Sequence, residues 1–197
     1  WFLYGLMTLQ WAFEKDSLQL IRYHKNGLLK IQKRNFTNQM ALLIFYKVIY
    51  YAYALVLPLI FLDNWWFVLI GYFTMHYTAG LILSIVFQCA HVMEPNDFNS
   101  PNESRVVDKN WFVHQLNTTC NFAMNSKLLS WFIGGLNFQI EHHLFPNICH
   151  IHYKKISKIV QYTAQEFNVP YKSYKNMFSA VRSHYKFLKH LGSYKMA

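Results

Sequence analysis

Acidic side chains are scarce in this chain: nine Asp and Glu stand against nineteen Lys and Arg in 197 residues, a formal net charge of +10. An excess of that size would suit a polyanion. Here, however, the basic residues avoid two long apolar segments instead of gathering in one patch interleaved with aromatics, so nucleic acid is not expected as a partner. Cysteine is scarce too. Cys89, Cys120 and Cys149 are odd in number and lack Cys-x-x-Cys spacing, which argues against a disulfide framework and against a zinc ribbon. No charged n-region followed by a cleavage site is visible, so no signal peptide is expected. The chain opens at Trp1, not at Met, as a piece of a longer protein would.

What the chain has in quantity is apolar and aromatic material, 53% and 19% of its residues, the mixture of a membrane protein with a basic aqueous part. Residues 40–62 carry a single charge, Lys47, and these 23 residues suffice to cross a hydrocarbon core. After a minimal turn at Asp63 and Asn64, residues 65–93 contain no Asp, Glu, Lys or Arg, and Trp65 and Trp66 open the run as interfacial anchors would. The expectation is a hairpin of two spans, 40–62 and 65–88, with the second helix continuing to 93. Six basic residues precede the hairpin, twelve follow it and none lie in its turn, so both flanks are assigned to the cytosol. Lys47, about 10 Å into the first span, can snorkel back to the same side.

The flanks divide into two regions. Residues 1–13 are almost wholly apolar and resemble the end of an upstream or interfacial helix. Residues 14–38 mix Lys15, Arg22, Lys25, Lys30, Lys33 and Arg34 with aliphatics, as a basic amphipathic segment on a membrane surface or an ordinary solvated linker would. Residues 1–39 are therefore one interfacial segment, and 94–197 a cytosolic helical region. Within the latter, 94–110 is expected as an exposed loop, and helices are expected over 111–122, 128–140, 153–167 and 174–191. Sequons at Asn35, Asn102 and Asn117 would go unused in this topology. The lysines of the last two helices suit a solvated face, with anionic headgroups or an acidic electron-transfer partner as open alternatives.

The chemistry concentrates in 134–146, Gly-Gly-Leu-Asn-Phe-Gln-Ile-Glu-His-His-Leu-Phe-Pro. On a helix, Gln139, His142 and His143 fall at i, i+3 and i+4, within about 100° of arc, while Ile140 and Glu141 point away. Imidazole suits iron, zinc, copper and nickel, and two imidazoles on one turn need little further ordering. A histidine pair on a helix surface is the plainer alternative. The neighbourhood favours a site: two glycines that admit another helix, an apolar flank, and Pro146 ending the helix. The second span, counted from Trp65 to His91, is about 39 Å long, roughly 9 Å more than the hydrocarbon core, so His91 should emerge on the cytosolic side. Gln88 lies one turn before it on the same face. His76, in mid-span, is read as a hydrogen-bonded structural residue. His114, Asn117 and Asn121 are orienting partners for metal-bound histidines or surface residues, with nothing in the sequence to choose between them.

The thirteen-residue run resembles the third histidine box of the membrane fatty acid desaturases, in the glutamine-led variant of the front-end, acyl-CoA delta-6-desaturase-like group. Gln88-Cys89-Ala90-His91, Gln115-Leu116, Thr118-Thr119 and the basic C-terminal helices extend the resemblance over essentially the whole chain. It implies an all-α integral membrane fold whose hairpin is half of a four-helix bundle under a cytosolic helical cap. It also implies two iron ions held by histidines of three boxes plus one more, here His91, Gln139, His142 and His143, with Gln88 weaker. The substrate would be a fatty acyl chain, linked to coenzyme A or to a lipid, and the electron donor cytochrome b5 or a ferredoxin. The membrane would be the endoplasmic reticulum or a bacterial inner membrane. The boxes His-x-x-x-His and His-x-x-His-His are absent from this chain and are expected upstream of Trp1. With about four ligands of the eight or so a di-iron pair needs, the chain by itself should be inactive.

Removing hydrogen from an unactivated methylene is a task for iron, dioxygen and two electrons, while the protein holds the alkyl chain in register. Trp111, and the stretch from Trp131 to Phe138, are the expected walls of that tunnel. Asn137, Asn121 and Glu141 are candidates to tune the ligands, Glu141 being equally suited to the surface. The alternatives are a hydroxylase or ketolase with the same iron centre, or a non-enzymatic membrane protein binding haem or a metal through His91, His142 and His143.

Overall fold

The computed structural model describes residues 1–94, 96 and 110–193, which form two compact units, Trp1–Ser84 and Ile85–Ala197. The expected loop falls almost entirely outside the described residues, as does the sequon asparagine Asn102.

In the first unit, α1 (Phe2–Gly5), α2 (Met7–Gln10), a wide π turn at Trp11–Lys15 and α3 (Asp16–Lys25) follow end to end. Gly27, at φ +73°, turns the chain into α4 (Leu28–Ile31). Asn35 then caps α5 (Phe36–Tyr51), its side-chain oxygen accepting the Thr37 N–H at 2.8 Å. A second π turn, Ala52–Val56, joins α5 to α6 (Leu57–Phe61), and α7 (Trp65–His91) follows, its last turns belonging to the second unit.

Two stretches, Phe36–Phe61 and Trp65–His91, are long and apolar enough to cross a membrane, and the core of the first is wholly unburied by protein. Phe45, Tyr46, Val48, Ile60 and Phe61 are all more than half exposed along it. Each such side chain forgoes about 1.5–3 kcal/mol if left in water, so the face calls for an apolar surrounding. Both spans agree with the sequence reading to within a few residues.

The N-terminal helices pack on these spans. Thr8 donates to the His76 carbonyl at 2.6 Å, and the His76 ring meets Thr8 through Nδ1 at 3.1 Å and the Tyr50 hydroxyl through Nε2 at 2.6 Å. The structural reading of His76 is thereby borne out. Lys47 reaches back to the N-terminal segment that was expected at the membrane interface. Its ammonium donates to the carbonyls of Trp11 and Ala12 and lies 3.5 Å from the Asp16 carboxylate.

The second unit contains α8 (Trp111–Thr118), β1 (Asn121–Phe122), α9 (Lys127–Phe132), α10 (Gln139–Leu144), a 3₁₀ turn (His150–His152), α11 (Tyr153–Glu166), β2 (Ser173–Tyr174) and α12 (Met177–Ser193). β1 and β2 pair in parallel, Asn121 opposite Ser173 and Phe122 opposite Tyr174. Two small cores hold the unit. One gathers Val86, Cys89, Ala90 and Met93 of the α7 end with Cys120, Phe122 and Ala180. The other packs Leu116, Ile140, Leu144, Val160 and Ala164 between α8, α10 and α11. Buried Asn96 fastens the α7 end by donating to the carbonyls of His91 at 2.9 Å and Thr118 at 3.2 Å.

Two expected helices are shorter than their hydrophobic runs. Residues 111–122 are helical only to Thr118, because the chain leaves for the pairing of β1. Residues 128–140 are not one helix: α9 stops at Phe132, and Gly134 (φ +60°) and Gly135 (φ +74°) turn the chain through the left-handed region. The glycines therefore serve a turn, not the close approach of a second helix.

Candidate metal centre

α10 is short, and its start is made by a side chain from elsewhere. Asn121, wholly buried on β1, accepts the Ile140 N–H on Oδ1 at 2.9 Å, taking up one of the unpaired donors at the helix start. With Nδ2 it donates to Glu141 at 2.8 Å, and the Tyr171 hydroxyl donates to the other Glu141 oxygen at 2.9 Å. Glu141 is thus anchored inside the protein with no exposure, and the surface alternative for it is corrected. The sequence reading was right that it points away from the histidines. That direction leads into the unit because Asn121 and Tyr171 cover it. Burial pushes its carboxyl above the usual carboxylate range, while the bonds from Asn121 and Tyr171 pull it back down.

With α10 fixed on that side, its other face carries the histidines. The rings of His142 and His143 are 5.7 Å apart, and His91, at the end of α7, brings its ring to 4.9 Å from that of His143. Each imidazole has an orienting partner. His143 donates from Nδ1 to the Gln115 amide oxygen at 3.0 Å, His142 Nδ1 meets the Tyr153 hydroxyl at 3.3 Å, and the His91 ring bonds the backbone at Thr118. For His143 this leaves Nε2 as the nitrogen with a free lone pair, the arrangement that metal-binding histidines adopt. Burial, with His91 and His142 adding like-charge repulsion, drives the His143 imidazole down to about 4, so it is neutral at physiological pH and able to act as a ligand. Gln139 shares the helix and is 1% exposed.

The other expected residues separate. Gln88 is half-buried one turn before His91 on α7. His114 is half-buried with its Nδ1 unbonded, and no ring contact or hydrogen bond among the described residues joins it to His91, His142 or His143. Asn137 is wholly buried but reaches the turn instead of the ligands, donating to Ser130 at 2.9 Å and to the Ala123 carbonyl at 3.3 Å. Trp131 and Phe138 wall one cavity, 77% and 3% exposed respectively, whereas Trp111 is half exposed, packs edge-on against Phe112 and does not line it. Gln115, Tyr153 and Tyr171 were not singled out by sequence. Gln115 lies within a stretch that carried the family resemblance, and nothing local marks the two tyrosines.

Among the described residues, no three His, Cys, Asp or Glu side chains converge closely enough to hold a metal by themselves. His91, His142 and His143 nonetheless fit iron in chemistry: three imidazoles, each oriented by a partner, with His91 and His143 desolvated and so held neutral. The fold and this histidine cluster describe a helical protein with two stretches able to cross a membrane and three imidazoles grouped near the end of the second. Comparison with known proteins narrows the class. The family description "fatty acid desaturase" matches residues 1–175, and the chain belongs to that family. The sn-1 linoleoyl-lipid 6-desaturase of Synechocystis sp. is 37% identical over 195 residues, covering 98% of this chain and 53% of its own length. The acyl-lipid (8-3)-desaturase of Physcomitrium patens is 36% identical over 193 residues, with 96% and 39% covered. The Delta(5) fatty acid desaturase A of Dictyostelium discoideum is 31% identical over 199 residues, with 97% and 41% covered. The chain thus spans about half the length, or less, of these curated relatives. No solved structure matches it.

Proposed function

We propose that this chain is the histidine-bearing part of a membrane di-iron desaturase that introduces a double bond into a fatty acyl chain. The overall change would be –CH2–CH2– + O2 + 2 e⁻ + 2 H⁺ → –CH=CH– + 2 H2O. The observation that carries this reading is the cluster of three imidazoles, with His91 4.9 Å from His143 and Gln115 and Tyr153 behind the other two, in a chain of the desaturase family.

In this reading Gln139, His142 and His143 of α10 and His91 of α7 are ligands to two irons whose remaining ligands come from elsewhere in the full protein. Iron at such a centre supplies the activation of dioxygen. The chain's own residues hold the His91 and His143 imidazoles neutral by burial, fix the His143 tautomer from the Nδ1 side, and clamp α10 through Asn121, Glu141 and Tyr171. The substrate is an acyl lipid, as in the relatives' names, or an acyl-CoA. Electrons come from cytochrome b5 or a ferredoxin. The excess of basic residues on both flanks of the hairpin supports placing the histidines and both flanks on the cytosolic side.

The test is product analysis in yeast expressing the full-length gene and fed defined fatty acids, with His142→Ala beside the wild type. The variant is expected to lose at least 100-fold in unsaturated product at equal protein level. Equal product from both would remove His142 from the ligand set.

A further inference from the structure

Successive carbonyls at the end of α7 are held from different parts of the chain. The Ala90 carbonyl accepts from the Cys120 N–H at 2.9 Å and from the Asn96 side chain at 3.1 Å. The His91 carbonyl accepts from the same Asn96 nitrogen at 2.9 Å. The next carbonyl, that of Val92, meets His184 Nδ1 at 2.7 Å. A helix leaves its last carbonyls without partners of its own, and these bonds supply them. His91 sits in the middle of the row. Its ring bonds the backbone at Thr118, whose carbonyl Asn96 holds at 3.2 Å.

His184 belongs to α12, which lies past residue 175, where the family match ends. Ala180 of the same helix, wholly buried, packs with Met177 and Val181 on Val86, Cys89, Ala90 and Met93. Such packing seats a helix without any polar group. An imidazole with no exposure is a different matter, because its buried nitrogens cost stability unless they are paired. A carbonyl only accepts, so Nδ1 carries the ring proton and donates it to Val92. Burial lowers the His184 imidazole below its usual range, the bond to Val92 working against that, and the ring donates as a neutral group. What this bond adds to the packing is direction. Release of the Val92 carbonyl lets the last turn of α7 fray, and a site tolerates displacements of only about 0.5 Å in its ligands.

We propose that His184 is a positioning residue for the metal centre: through the Val92 carbonyl, α12 sets the stretch of backbone from which His91 presents its imidazole. The proposal rests on the reading of His91 as an iron ligand and adds to it a part for the C-terminal helix.

The test uses the full-length protein loaded with iron and two substitutions of similar size. His184→Asn places an amide nitrogen where Nδ1 stands, whereas His184→Gln carries its amide further out, to the position of Nε2. For each, the chelator concentration that removes half of the iron is measured, together with the melting temperature of the iron-free protein. His184→Gln is expected to give up its iron at about tenfold less chelator than the wild type, a usual cost of losing an orienting partner. His184→Asn should match the wild type. Val181→Ala thins the packing of α12 without touching the carbonyl, so it should lower the iron-free melting temperature and leave the chelator midpoint where it was. If the glutamine variant does not fold, His184→Ser, whose hydroxyl falls short of the carbonyl, takes its place with the same expectation.

A wild-type midpoint in the glutamine or serine variant overturns the proposal. So does a midpoint that asparagine fails to restore, or an equal shift in Val181→Ala, which would reduce α12 to packing. His91→Ala is the reference. If it keeps iron as the wild type does, or if the wild type holds none, the ligand reading fails and the positioning role falls with it. If His91→Ala loses iron and His184→Gln does not, the positioning role fails alone.

Discussion

At the scale of single residues, the site depends on groups that do not touch a ligand position. Gln115 holds the His143 Nδ1–H at 3.0 Å and so determines which ring nitrogen is left free. Its replacement by Ala is expected to weaken iron binding about 10- to 100-fold, the usual cost of losing such an orienting partner, with little change in melting temperature. Iron retained against a graded series of chelator concentrations measures this, and a wild-type curve would show that the bond has no such role. Tyr171 acts differently. Tyr171→Phe removes one of the two donors to the buried Glu141 carboxylate, at a cost of roughly 1.5–3 kcal/mol, and should lower the melting temperature of the full-length protein. A helical wheel places Glu141 on the side away from the histidines, but an angle on a wheel does not say whether solvent or a tyrosine thirty residues later lies beyond it.

At the scale of elements, the glycine pair decides where α9 ends and α10 begins. Both Gly134 and Gly135 have positive φ, so alanine at either strains the backbone by roughly 1–2 kcal/mol. Only at Gly135 would the added Cβ also press on His150, since nothing lies within 4 Å of that position on Gly134. Gly135→Ala should therefore destabilise the protein clearly more than Gly134→Ala. Thermal denaturation of the two variants side by side checks this, and an equal loss would mean that His150 moves aside freely. The hydrophobic run over 128–140 carried no sign of the break, because composition reports burial and not the sign of φ. α11, with its apolar stripe at helical spacing, was legible to within a residue at each end. α12, expected over 174–191, begins at Met177 because Ser173 and Tyr174 are taken into β2.

At the scale of the molecule, the proposed reading makes the chain one part of a coordination system. In that reading three imidazoles and one amide go to a centre that would need about twice as many ligands, and the chain spans 53% of one relative and 39% of another. Purified as residues 1–197 alone, it should hold fewer than two iron atoms per chain. Elemental analysis that finds two tightly bound atoms would contradict the shared-ligand reading. The hairpin itself was plain in the sequence, since an unbroken apolar run long enough to cross a bilayer is a local property. The role of Lys47 was not, because its partners Trp11, Ala12 and Asp16 lie more than thirty residues upstream.

The sequence by itself determined the two spans, the helical character of most segments, and the placement of Gln139, His142 and His143 along one turn. These follow from periodicity and run length, which act over a few residues. Only the tertiary structure decided that His91 meets His143, that Glu141 is a buried anchor instead of a surface charge, and that Gly135 yields space to His150. Each of those outcomes depends on which distant segment comes to lie against a given face, and the energy that selects it is spread over the packing of α7, α8, α10 and α11 and written in no single stretch of chain.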